Sequence, residues 1–198
     1  FAIAFWTVNH LWHLGKYNIG LSSCLGGTGM CISADIVKEF GWGCDCLTED
    51  MEFSMKCLSR GIRTCWVHDA IIYDEKPLSF MASWRQRKRW AQGQFDCSER
   101  YIPILLKEGI KRRSIIILDG IMQLLQNYFL LLSTFYLVMT YINIYSPCFT
   151  VILYNDVLLP KQFWSVLGTL QYILPLVVLL QIEVPIKIYL YWLIYPIF

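Results

Sequence analysis

In "FAIAFWTVNHLWHL" apolar residues fall at positions 1, 4, 5, 8, 11 and 12, a spacing that predicts a helix over residues 1–14, with Gly15 and Gly20 marking its exit. The stretch "NIGLSSCLGGTGMCIS" (18–33) reads as loop and short strand around Gly26-Gly27-Thr28-Gly29. A short helix over 34–41 stops at Gly41. Residues 46–61 carry fuller helix punctuation: Thr48 as N-cap, Glu49 and Asp50 in the first turn, Arg60 and Gly61 at the far end. "IRTCWVHDAIIYDE" (62–75) is rich in β-branched and aromatic residues and predicts a strand. Pro77 ends it, and Ser79 caps a further helix that contains "SWRQRKRWAQGQ" (83–94).

Beyond "KEGIKRRS" (107–114) the pattern changes. Asp119, Gln123, Gln126 and Asn127 recur at roughly helical spacing in an otherwise apolar run, so 108–127 reads as a basic, amphipathic interfacial helix. Residues 128–145 carry no charge, and about 18 residues suffice to cross a bilayer core. A polar-punctuated loop from Pro147 to Lys161, a second candidate span from Phe163 to Ile182 and the beginning of a third from Ile188 to Phe198 follow. The chain starts at Phe1 inside one apolar run and stops within another, which reads as a piece of a longer protein.

Composition sharpens the division. The chain is 56% hydrophobic and only 16% charged, against about 25% charged in an ordinary soluble domain. From Ser114 onward the charged residues are Asp119, Asp156, Lys161, Glu183 and Lys187 alone. Three regions result: a water-facing α/β part over 1–107, the interfacial helix over 108–127 and a membrane region over 128–198. Lys107, Lys111, Arg112 and Arg113 precede the first span, and the positive-inside rule places that end, with the α/β part, in the cytoplasm. A net charge of +2 is too small to argue for a nucleic-acid protein, and the basic residues are local rather than global. The 8 cysteines form no C-x-x-C pair and read as reduced thiols of a cytosolic face.

Two stretches carry candidate chemistry. On a helix, Gln86, Arg89 and Trp90 share one face and offer an amide, a guanidinium fork and a flat indole. Arg suits bidentate contact with a diphosphate, and Trp suits stacking on a sugar or nucleobase. A basic helix with Trp also suits plain anchoring to anionic lipid. In Thr48-Glu49-Asp50 the helix dipole favours the anion, which lowers a carboxyl pKa; such a carboxylate can take a proton from a sugar hydroxyl, or it can merely cap the helix. His68-Asp69 offers a catalytic dyad or a structural pair at a strand end, and His10 with His13 offers two ligands or ordinary packing.

Together, Thr48-Glu49-Asp50 and Gln86-Arg87-Lys88-Arg89-Trp90, followed by apolar spans, resemble the TED and QxxRW motifs of membrane-bound family 2 glycosyltransferases, the cellulose, chitin, hyaluronan and poly-N-acetylglucosamine synthases. "LGGTGMCI" (25–32), with Gly27 and Thr28, resembles the small-residue loop before TED, and "HDAIIYDEKPLSF" (68–80) resembles the segment before QxxRW in bacterial members. The resemblance implies the second half of a GT-A, Rossmann-like α/β domain, followed by interfacial and transmembrane helices. It implies inverting hexosyl transfer from a UDP-sugar, with N-acetylglucosamine or glucose favoured, to a β-linked polysaccharide or a lipid-linked acceptor. It implies a multi-pass protein of the cell membrane. Asp50 matches the general base, Glu49 an orienting acid, Gln86 and Arg89 the diphosphate grip, and Trp90 the acceptor platform. Mg²⁺ or Mn²⁺ is implied too, but its D-x-D ligands are not in this chain, since Asp45-Cys46-Leu47 is not such a motif. The chain alone is therefore expected to be inactive.

Overall fold

Serine side chains start three of the helices in the computed structural model, which describes residues 2–145, 161–182 and 184–192. Ser33 Oγ accepts the Asp35 N–H, Ser79 Oγ that of Ala82, and Ser114 Oγ that of Ile117, each satisfying an amide that the first helical turn leaves unpaired. The chain runs through α1 (Ala2–Thr7), a π-helical segment (Val8–Leu14) and α2 (Gly15–Asn18), so the first predicted helix continues through Gly15. Gly20, at φ +80°, ends it. Then come α3 (Ala34–Phe40), α4 (Glu49–Ser59), the long α5 (Phe80–Lys111), α6 (Ile115–Leu124), α7 (Gln126–Tyr145), α8 (Lys161–Gln181) and α9 (Ile186–Trp192). Gly41 and Gly61, at φ +66° and +86°, close α3 and α4 where the sequence places the stops.

The predicted strand over 62–75 does not form, and no strand occurs among the described residues. Ser23 N–H donates to the Thr64 carbonyl (2.9 Å) and Thr64 N–H to Ser22 Oγ (3.0 Å), but the pairing does not extend into a ladder. β-branched composition favours a strand only where a neighbour supplies the pairing. Along 71–73 the Ile71, Ile72 and Tyr73 side chains are all exposed.

Two units divide the chain. In the one formed by residues 12–128, α5 packs against both α4 and α6 around Met55, Leu58, Cys97, Leu105, Ile117 and Leu124. Glycines let the helices approach: a β-carbon at Gly120 would lie 2.4 Å from Leu58, and one at Gly109 would lie 2.6 Å from Leu118. The polar positions of α6 turn inward. Asp119 forms an ion pair with Lys16, whose Nζ also lies over the Trp12 ring, and Gln123 is buried with its carbonyl accepting from Gln94 Nε2. His13 stacks on Trp66 at 5.0 Å with its Nδ1 2.7 Å from Ser23 Oγ, which is a packing role. Cys24, Cys46, Cys57 and Cys97 are buried free thiols, whereas Cys31 and Cys65 are exposed.

In the other unit, residues 1–11 with 129–198, α1 packs on α8 and α8 on α9, with Ile3, Val178 and Leu179 buried. The first two predicted spans coincide with α7 and α8. Among the described residues no single helix is long and apolar enough to cross a membrane, but α6 and the first half of α7, bent by 46°, pass that test as a pair. Most of the loop from Pro147 to Lys161, Cys148, and the end of the third predicted span lie outside the described residues.

Candidate active site

The site is built where the N-terminus of α4 meets the first half of α5. Thr48 precedes α4, yet its hydroxyl makes no capping bond and is buried without a hydrogen-bond partner among the described residues. Glu52 replaces it as the device that fixes this turn. Buried within α4, its Oε2 accepts the N–H groups of Asp45 and Cys46, both at 2.7 Å, and the Tyr101 hydroxyl lies 3.5 Å from Oε1. Opposite the turn stands Gly93 of α5, where a β-carbon would lie 2.7 Å from the Thr48 nitrogen. α5 therefore touches the Thr48 backbone directly, and Arg89, one turn earlier on the same helix side, is carried toward Asp50.

Asp50 is half-buried, with Oδ1 accepting the Met51 N–H at 2.7 Å. On its other side is the loop after Cys24: Gly27 has φ +74°, and a β-carbon there would lie 3.1 Å from Asp50 Oδ2. A left-handed backbone in contact with a carboxylate leaves room for glycine only. The sequence expectation of a lowered Asp50 pKa is corrected: burial raises it, Glu49 adds to the rise, and the Met51 N–H and the Arg89 guanidinium oppose it. Desolvation outweighs the helix dipole here.

The other predicted residues are placed as follows. Glu49 is exposed in the first turn, and Thr28 is exposed beside Gly27. Gln86 and Trp90 are half-buried on α5, whereas Arg89 is exposed. The Gln86 amide oxygen is buried and has no hydrogen-bond partner among the described residues. Gln86 and Arg89 line an open cleft of about 360 Å³ with Pro77, Ala82 and Arg85. Arg87 and Lys88 are exposed, and His68 and Asp69 lie in an exposed turn. The arrangement sets a carboxylate of raised proton affinity within the influence of Arg89, which itself lines a cleft with Gln86, equipment for moving a proton and holding an anion.

No group of three or more His, Cys, Asp or Glu side chains that could hold a metal occurs among the described residues. Asp45 is instead paired with Arg100. The described residues do not fit a divalent cation.

Sequence reasoning missed Glu52, Ser54 and Gly93. Ser54 lies one helical turn after Asp50, and its hydroxyl donates to the Asp50 carbonyl at 2.7 Å. Gly93 had a signal, since a glycine inside a strong helix pattern usually marks close packing.

No solved structure matches the chain. Over 91 residues it is 30% identical to the "Probable glycosyltransferase YdaM" of Bacillus subtilis (strain 168), an alignment that covers 46% of this chain and 21% of that relative. The chain thus spans about a fifth of the relative's length. Residues 1–198 match the family described as Glycosyl transferase family group 2, and with the whole chain covered, this protein belongs to that family.

Proposed function

We propose that the polypeptide carrying this chain is an inverting glycosyltransferase that moves N-acetylglucosamine or glucose from a UDP-sugar to a growing β-linked polysaccharide at the cell membrane, with its catalytic part in the cytoplasm. Family membership supports a transferase with a nucleotide-sugar donor and an acceptor. On this reading residues 1–107 are the second half of a GT-A domain, 108–127 the interfacial segment, here the end of α5, α6 and the start of α7, and 128–198 the start of the membrane region. The observation that carries the reading is Asp50, held against Gly27 with its pKa raised and with Arg89 acting on it from the neighbouring helix.

The acceptor hydroxyl oxygen bonds to the anomeric carbon as the bond from that carbon to the diphosphate breaks, and its proton passes to Asp50. Arg89 faces the departing diphosphate charge, and the Gln86 carbonyl accepts from a donor or acceptor hydroxyl. Trp90 stacks the acceptor ring, and Glu49 orients the turn. Because the described residues do not fit a metal, no step here runs through Mg²⁺ or Mn²⁺; the cation expected of this family would be held by residues outside this chain.

The test uses membranes that carry the full-length polypeptide, supplied with radiolabelled UDP-N-acetylglucosamine or UDP-glucose. Asp50→Asn is expected to lower incorporation at least about a hundredfold, the size of a general-base effect. A product of one sugar on extractable lipid rejects the processive part of the reading. Undiminished activity in Asp50→Asn, with Trp90→Ala no worse than Trp84→Ala, rejects the enzyme reading in favour of a lipid-binding module. Exposed Phe80, Met81 and Trp84 beside Arg85 and Lys88 favour that alternative.

A further inference from the structure

Ser54 is among the most buried polar residues of the chain, at 1% exposure. A serine within a helix commonly returns its hydroxyl proton to the carbonyl four residues back, and Ser54 does so to Asp50 at 2.7 Å. What distinguishes it is the second bond. The same oxygen accepts the Leu25 N–H at 2.9 Å, from 29 residues upstream. Leu25 leads straight into Gly26 and Gly27, and Gly27 is the residue against the Asp50 carboxylate. One hydroxyl therefore fastens the glycine loop to the very turn of α4 that presents Asp50.

From this geometry, and resting on the active-site reading above, we propose that Ser54 is a positioning residue: it holds the Gly26–Gly29 loop over Asp50 and so keeps the carboxylate shielded from water. The loop itself is exposed from Gly26 to Gly29; the side chain of Ile72, itself exposed, lies against Gly29, and the Ser54 bond is what ties the Leu25 end to α4. Without the Ser54 oxygen the Leu25 N–H loses its partner, the loop lifts, and water reaches Asp50. The groups that face Asp50 are Glu49 on its own helix, Arg89 on α5 and the Cys24 thiol on the loop, which burial pushes up to about 12 and which stays uncharged at neutral pH. All three groups are common to the wild-type chain and its Ser54 variants, so a difference between them in the acid limb reports the loop.

Hydrogen exchange and kinetics on the full-length polypeptide in membranes test this. In Ser54→Ala, amides of residues 25–29 exchange faster while those in the middle of α4 keep their protection. The kcat/KM for UDP-sugar falls about ten- to a hundredfold, the cost of a catalytic group displaced by about 1 Å. The acid limb of kcat/KM against pH moves down toward the ordinary aspartate value of about 3.9. Ser54→Thr, which restores the hydroxyl, restores the exchange and the profile. Ser54→Cys, which keeps the volume and weakens the bonds, moves both in the direction of alanine and serves if alanine does not fold. Unchanged exchange at 25–29, or a slower rate with an unmoved acid limb, overturns the proposal. Full activity of Asp50→Asn instead overturns the active-site reading beneath it, and the two failures are distinct.

Discussion

Replacing Gly93 with alanine sets two effects of one methyl group against each other. In a helix interior alanine is favoured over glycine by about 1 kcal/mol, so propensity alone predicts a stabler protein. The contact predicts the opposite. The new carbon would lie 2.7 Å from the Thr48 nitrogen, and the Thr48 Oγ1 and Cγ2 are as close. A backbone nitrogen cannot rotate away, so α5 and the α4 turn must separate by about 3.4 − 2.7 = 0.7 Å to reach ordinary contact. Overpacking of this kind costs about 1–3 kcal/mol, which leaves a net loss of up to about 2 kcal/mol. For a chain of this size that lowers Tm by several degrees, at about 2–4 °C per kcal/mol. Activity falls further than stability, because the same opening withdraws Arg89 from Asp50, and a displacement near 1 Å costs about a hundredfold. The assay pairs a thermal melt with UDP-sugar incorporation by the full-length polypeptide. Gly15→Ala is the control, since nothing lies within 4 Å of a β-carbon in that helix. If Gly93→Ala melts as high and turns over as fast as Gly15→Ala, the reasoning fails.

Lys16→Met leaves Asp119 without its buried cation and is expected to cost about 3–5 kcal/mol in a denaturant melt, most of it recovered when Asp119→Leu is added. His13, packed on Trp66, has its pKa pushed down to about 4 by burial and then by Lys16. Between about 6.5 and 4 the unfolded chain binds a proton there that the folded chain does not, so stability falls as pH drops through that window by up to about 1.4 kcal/mol per pH unit. His13→Phe removes this slope in pH-dependent melts. Asp50 has the opposite dependence: with its folded pKa raised, the native state holds the proton more tightly, and stability falls as pH rises from 3.8 toward the folded value. Asp50→Asn, expected to abolish transfer, should therefore raise Tm at pH 7.

The helix starts and stops were legible because they depend on neighbours in sequence. Ser79, Gly41 and Gly61 act within their own turn, and the structure uses each of them as read. The segment over 62–75 was misread as a strand for the converse reason, since strand formation depends on a partner from elsewhere in the chain. Thr48 was legible as an N-cap but not as a residue whose hydroxyl makes no capping bond and packs on Gly93, because Gly93 lies 45 residues downstream. The direction of the Asp50 pKa was misjudged on the same ground: the dipole of its own helix is local, whereas the burial that outweighs it is contributed by a loop and a second helix. Ser54 left no trace in the pattern, because a polar residue on a buried helix face reveals its purpose only once Leu25 is beside it.

The register of α5 has a consequence for how this protein tolerates change in length. Arg89, Gly93, Cys97, Leu105 and Gly109 lie along one rod of 32 residues, and the first two serve the candidate site while the last two serve the contacts with α6. Each residue advances the helix by about 100°, so inserting or deleting a single residue between Gly93 and Leu105 would swing the site end away from α4 while α6 keeps hold of the other. Insertions in the exposed segment over 67–75 carry no such penalty, since no helix register passes through it. Length variation among descendants of this sequence should accumulate there and spare α5.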